Sequence, residues 1–126
     1  MSLETRVSIA EAEQLVKEAF LRNGVKEAVA VSVSTALVAA EAEGQVGHGF
    51  SRVKDYLAQV KSKKINVDAK IKIEHPKPTC ISIDADYGFA YPALDQAISE
   101  GALTAKEYGS AIVSIFNSHH CGALSV

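Results

Sequence analysis

Cysteine is scarce in this chain, limited to Cys80 and Cys121, and two such residues make no disulfide framework. Excess basic charge is also missing. A formal net charge of -2 supplies no field for holding nucleic acid, and the lysine trio Lys61, Lys63 and Lys64 reads as a solvated helix end. No charged-then-apolar leader opens the sequence, so a cytoplasmic chain is expected. The longest apolar stretch, Ala28 to Ala42, is broken by Ser32, Ser34, Thr35 and Glu41 and is too short to cross a bilayer, which excludes a membrane partner. Glycine-rich phosphate loops of the Gly-x-Gly-x-x-Gly or Walker kind are absent, as are Cys-x-x-Cys and His-x-x-x-His pairs that would preorganise a metal. No metal site is expected.

What is present suits one globular domain: 126 residues, 48% hydrophobic and 22% charged, without repeats or low-complexity linkers. Ser8-Ile9-Ala10-Glu11 has the form of a capping box. The helix it opens carries Ala12, Leu15, Val16, Ala19 and Phe20 on its packing face and can end in a left-handed turn at Gly24. From Lys26 to Glu43 nearly every position is apolar or small, with Val29, Val33, Leu37 and Ala40 on one stripe, which predicts a helix covered on most sides. A third helix is predicted from Ser51 to about Lys63, with Val53, Tyr56, Leu57 and Val60 inward.

After Asn66 the period changes. Ile71 and Ile73, then Ile81 and Ile83, alternate with polar residues around a Pro76-Lys77-Pro78 corner, predicting two paired strands with His75 exposed beside the corner. Pro92 suits a first helical turn, and Leu94, Ala97, Ile98 and Ala102 carry that helix towards Gly109. Ala111 to Phe116 reads as a central strand buried on both faces. The class is α/β, mixed α+β: N-terminal helices, then a β-hairpin, a helix and a buried strand.

Two segments carry candidate chemistry. Gly47-His48-Gly49-Phe50-Ser51-Arg52 places an imidazole in a permissive backbone. If a helix begins near His48, the spacing puts Arg52 on its face, where a guanidinium and an imidazole suit an anionic substrate. The same residues also fit a helix-capping loop histidine and a surface ion pair. Asn117-Ser118-His119-His120-Cys121-Gly122 follows the last strand, where open α/β sheets favour ligand sites. On an extended chain His119 and His120 point to opposite sides, so one faces a cleft while the other packs. Cys121 as a nucleophile activated by His120 is disfavoured, because sequence neighbours rarely reach attack geometry. Asp84 and Asp86 read as turn residues.

Together, the His48 and His120 segments make the chain resemble, over essentially its whole length, the type-2 malate/L-lactate dehydrogenase family. That family's landmarks are a Ser-His-Gly-x-x-Arg segment and an Asn-Ser-x-His-x-Gly-Ala segment. The resemblance implies a partial non-Rossmann dehydrogenase in which residues 1–126 form the N-terminal substrate and dimerisation portion, helical over residues 1–66 and mixed α/β over residues 67–126. The cofactor-binding domain is then largely absent.

By the same resemblance, His120 is the acid/base residue and His48 a second catalytic residue that also meets cofactor. Arg52, Tyr56 and Ser118 bind substrate, and Cys121 and Gly122 contact NAD or NADP. The implied reaction moves a hydride between NAD(P) and a small 2-hydroxy or 2-oxo acid of malate or lactate type, within a longer chain and as a homodimer. Gly47 departs from the family serine, leaving room for a cyclic imino acid as the alternative substrate. An inert substrate-domain fragment or association module is the alternative from another class.

Overall fold

The computed structural model describes residues 4–124. Ser8 caps the first helix, α1 (Ile9–Leu21), as its sequence predicts: the Ser8 backbone N–H donates to Glu11 Oε2 at 2.8 Å and the Glu11 N–H donates to Ser8 Oγ at 3.2 Å. This reciprocal pair satisfies amides that have no partner inside the helix, a contribution of about 1 kcal/mol. The buried line of α1 is Ala12, Val16 and Phe20. Leu15, expected on that line, is 61% exposed, because the contact with the next helix is a narrow stripe one helical row wide. Gly24 makes the expected left-handed turn, with φ +83.

Helix α2 (Glu27–Ala42) buries Val33, Leu37 and Ala40, and complete burial of a side chain such as Leu37 is worth about 1.5–3 kcal/mol. Its N-terminal side is not covered as expected. Val31 is 44% exposed and lines an open, largely apolar groove of about 590 Å³ with Thr35, Tyr91, Leu94 and Ile98. A short 3-10 turn, Val46–His48, leads into α3 (Ser51–Lys61), which buries Tyr56 and Val60 and half-buries Val53 and Leu57. Lys61, Lys63 and Lys64 lie exposed at its end.

Strands β1 (Lys72–Lys77) and β2 (Cys80–Asp84) form the predicted antiparallel hairpin. The corner is narrower than expected. Pro78 and Thr79 make the turn while Pro76 lies within β1, where the register shifts between Glu74 and Lys77. Proline is tolerated there because β1 is an edge strand and its missing N–H breaks no ladder bond that a central strand would need.

Helix α4 (Ala90–Tyr108) carries Pro92 in its first turn and ends at Gly109, whose φ is +86. It packs on the sheet through Ala93 and Ala97, which meet Ile81 and Ile83. Small side chains set that face, so Ile98, expected inside, is 61% exposed and Ala102 is exposed as well.

Strand β3 (Ile112–Phe116) pairs parallel to β2 in the order β1-β2-β3. It is therefore an edge strand, not the central strand its apolar run suggested. Val113 and Ile115 pack against the core under α4, while the opposite face leaves Ile112 70% and Phe116 46% exposed. A continuous apolar run specifies two greasy faces but not what covers them. Among the described residues no helix is long and apolar enough to cross a membrane.

Candidate active site

The loop after β3 is held by a set of turn bonds. Asn117 adopts φ +48, its side-chain amide donates to Asp84 Oδ1 at 3.1 Å, and its carbonyl accepts from Tyr87 N–H at 2.7 Å. Asp86 accepts from Lys70 N–H at 2.9 Å, and Asp84 also accepts from Asp86 N–H at 2.9 Å. Asp84 thus makes the turn hydrogen bond its sequence context suggests, whereas the Asp86 carboxylate reaches across to Asn66 and Lys70. His119 N–H donates to Gly88 O at 3.0 Å, which ties the histidine pair to the start of α4.

The left-handed residue changes the direction of the pair. Instead of pointing to opposite sides, the rings of His119 and His120 stack 5.8 Å apart at 11°. The extended geometry behind the sequence expectation ends at Asn117. The two rings still differ in surroundings. His120 is exposed, whereas His119 is half-buried against the edge of Tyr56 at 4.9 Å and near Phe89 at 6.1 Å. His119 Nε2 lies 2.8 Å from Gln59 Oε1, and among the described residues its buried Nδ1 makes no hydrogen bond of good geometry. Burial, and then the neighbouring His120, hold the His119 imidazole below its ordinary value.

Tyr56, expected to line a pocket beside Arg52, forms a buried floor beneath both histidines, with His120 6.2 Å away. Its Oη makes no hydrogen bond of good geometry. Burial first, then the neighbouring Tyr91 phenol, raise Tyr56 well above the usual phenol range, while the Arg52 charge pulls the other way. Tyr91 accepts from Gly122 N–H at 3.1 Å. Cys121 packs inward against the helical core, so its sulfur is a wall of this layer. The Ser118 hydroxyl donates to His119 O at 2.7 Å.

The His48 segment meets this loop. A Cβ on Gly122 would stand 2.9 Å from His48 Nδ1 and 3.0 Å from His48 Cβ, so the imidazole lies directly on the glycine. Helix α3 starts at Ser51, so His48 and Arg52 do not share one helical face. They are linked through backbone instead: Arg52 Nε donates to Gly47 O at 2.6 Å. Arg52 Nη1 is 3.7 Å from Asp55, which leaves a partly exposed fork that suits a carboxylate. Glu41 braces the turn by accepting Phe50 N–H at 2.8 Å, and any side chain on Gly49 would run into Glu41.

Sequence reasoning missed Gln59, Tyr91 and Glu41. Gln59 had a signal, since it lies one turn beyond Tyr56 on the same helix. Tyr91 and Glu41 had none, because only folding brings them to the loops. Among the described residues no three His, Cys, Asp or Glu side chains gather as a metal site.

This geometry offers an exposed imidazole at His120, a second at His48 against Gly122 of the same loop, and an oriented guanidinium at Arg52. Among the described residues there is no glycine-rich strand-to-helix turn of the kind that holds a dinucleotide pyrophosphate in Rossmann folds.

A family model described as malate/L-lactate dehydrogenase matches residues 7–126. The chain is 37% identical over 116 residues to the (2R)-3-sulfolactate dehydrogenase (NADP(+)) of Chromohalobacter salexigens, covering 92% of this chain and 34% of that protein. It is 32% identical over 123 residues to a Delta(1)-pyrroline-2-carboxylate/Delta(1)-piperideine-2-carboxylate reductase of Pseudomonas putida, covering 98% and 36% respectively. The solved structure of a delta1-piperideine-2-carboxylate reductase from Pseudomonas syringae pvar. tomato superposes with a TM-score of 0.91 at 30% identity, covering 96% of this chain and 36% of that one. The chain spans about a third of the length of these relatives.

Proposed function

Since the chain belongs to the malate/L-lactate dehydrogenase family, we propose that it supplies the substrate grip and the proton carrier of an NAD(P)-dependent oxidoreductase acting on small 2-hydroxy and 2-oxo acids. It does so within a longer enzyme. The observation that carries this reading is the meeting of the two histidine segments: His48 rests on Gly122 in the loop of His120, and Arg52 is braced to Gly47 beside His48.

In this reading the substrate carboxylate docks on the outer nitrogens of Arg52, whose Nε is already oriented by the Gly47 carbonyl. His120, exposed above the Tyr56 floor, gives a proton to the C2 oxygen during reduction and takes it back during oxidation. His48 orients the polarised group, and Ser118 lines the same loop. A bound nicotinamide would supply the hydride for reduction and take it up in oxidation. The reading extends to a cytoplasmic homodimer, which fractionation and sedimentation would check.

The test is His120→Ala in a protein of the relatives' length, assayed with pyruvate, oxaloacetate and a cyclic imino acid under NADH and NADPH. The expected result is a turnover loss of about 100-fold or more, with nicotinamide binding retained. Near-normal turnover would remove His120 from the acid/base role. A second reading, reduction of a cyclic imino acid, is favoured by one observation: a side chain at Gly47 would meet nothing within 4 Å, so the space of the family serine is open. Faster turnover of the imine than of either 2-oxo acid would select it.

A further inference from the structure

The sequence resemblance leaves the first histidine of the pair without a task. Every portion of His119 that touches protein is nevertheless constrained. Its backbone N–H is held by Gly88 O at 3.0 Å, its ring sits against Tyr56 and Phe89, and Nε2 meets Gln59 Oε1 at 2.8 Å. An amide oxygen accepts only, so Nε2 must carry the hydrogen and Nδ1 is left as a bare lone pair. Among the described residues that buried Nδ1 makes no hydrogen bond of good geometry, although the His120 backbone lies near the ring. Adding a proton to it would create a buried charged donor without a well-aligned acceptor, which is costly.

His120 lies parallel on this ring at 5.8 Å, and at that distance a charge on His119 would oppose a charge on His120. We propose that His119, clamped by Gln59, is a positioning residue: it supports the His120 ring in one orientation and stays uncharged beneath it, so that only His120 exchanges protons. The titratable groups against the His119 ring are Tyr56 from α3 and His120 in its own loop, with Tyr91 of α4 behind Tyr56; Phe89, at the start of α4, is apolar. None of these is a carboxylate that would favour an imidazolium at His119. The depressed proton affinity of His119 agrees with this geometry.

The inference rests on the reading of His120 as the proton carrier, but its test is independent of turnover. Nitrogen-15 spectra of the imidazoles in the 126-residue chain, recorded across a pH series, report tautomer and charge directly. At pH 6.5, where an ordinary imidazole is half protonated, His119 is expected to be more than half neutral, with its neutral form the Nε2–H tautomer. Gln59→Glu places a carboxylate on Nε2 and is expected to raise His119 proton affinity about tenfold or more. A wild-type His119 that titrates as a free imidazole, or shows the Nδ1–H tautomer, overturns the proposal, and so does a Gln59→Glu chain in which His119 titrates unchanged. If Gln59→Glu does not fold, the wild-type tautomer alone decides. A normal turnover for His120→Ala, by contrast, would sink the catalytic reading and leave the tautomer result standing.

Discussion

The His48 imidazole lies against the α-carbon of Gly122, with Nδ1 2.9 Å from the position a Cβ there would occupy. Two loops more than seventy positions apart in sequence are thereby locked face to face. Gly122→Ala should displace both Cβ and ring of His48, since both lie too close for a rotamer change alone to relieve the overlap. The expected cost is about 1–3 kcal/mol, seen as a lower urea midpoint with an unchanged slope. His48 resonances should shift as well.

Arg52 is oriented by its Nε bond to Gly47 O at 2.6 Å. Arg52→Ala in a protein of the relatives' length should raise KM for carboxylate substrates about tenfold or more, with a smaller effect on kcat. Arg52→Lys should recover little, because an ammonium cannot hold the carbonyl and grip a carboxylate with two parallel bonds. Steady-state kinetics on both variants check this, and an unchanged KM would separate Arg52 from substrate.

Gly47→Ser should fit without repacking, since nothing lies within 4 Å of the new Cβ. Stability should stay within about 0.5 kcal/mol of the parent in chemical denaturation. The added hydroxyl should also move the ratio of kcat/KM between 2-oxo acid and cyclic imine about tenfold towards the 2-oxo acid, in a competition assay with both substrates.

His119 links stability to pH. Its folded proton affinity is depressed, so the unfolded chain binds a proton first as pH falls. The stability tied to the neutral ring is therefore full above 6.5, the ordinary imidazole value, and is lost as pH drops from there through the lowered folded value. Urea midpoints measured from pH 8 down to pH 5 should show this decline, and His119→Asn should flatten it.

Much of the helical architecture was legible because its determinants are local. The Ser8 and Glu11 pair, the Gly24 and Gly109 turns and Pro92 act within a few residues of themselves, so their patterns predict what folding produces. The histidine segments were legible as chemistry for the same reason: residue type and glycine context are written along the chain. Burial was less legible wherever a partner had to be known. Leu15, Ile98 and the outer face of β3 are apolar, yet which of them meets another element depends on packing that periodicity does not encode.

The sequence by itself determined most of the elements, their order, and the residue types on which the proposed carboxylate grip and proton transfer rest. Tertiary structure alone decided that His48 rests on Gly122, that Tyr91 and Gln59 secure the second loop, and that His119 lies beneath His120 instead of opposite it. The reason is physical. Local hydrogen bonds and side-chain periodicity act over a single turn or strand, whereas these contacts arise only when α3, α4 and the end of β3 close around a shared core and one left-handed residue, Asn117, redirects the loop.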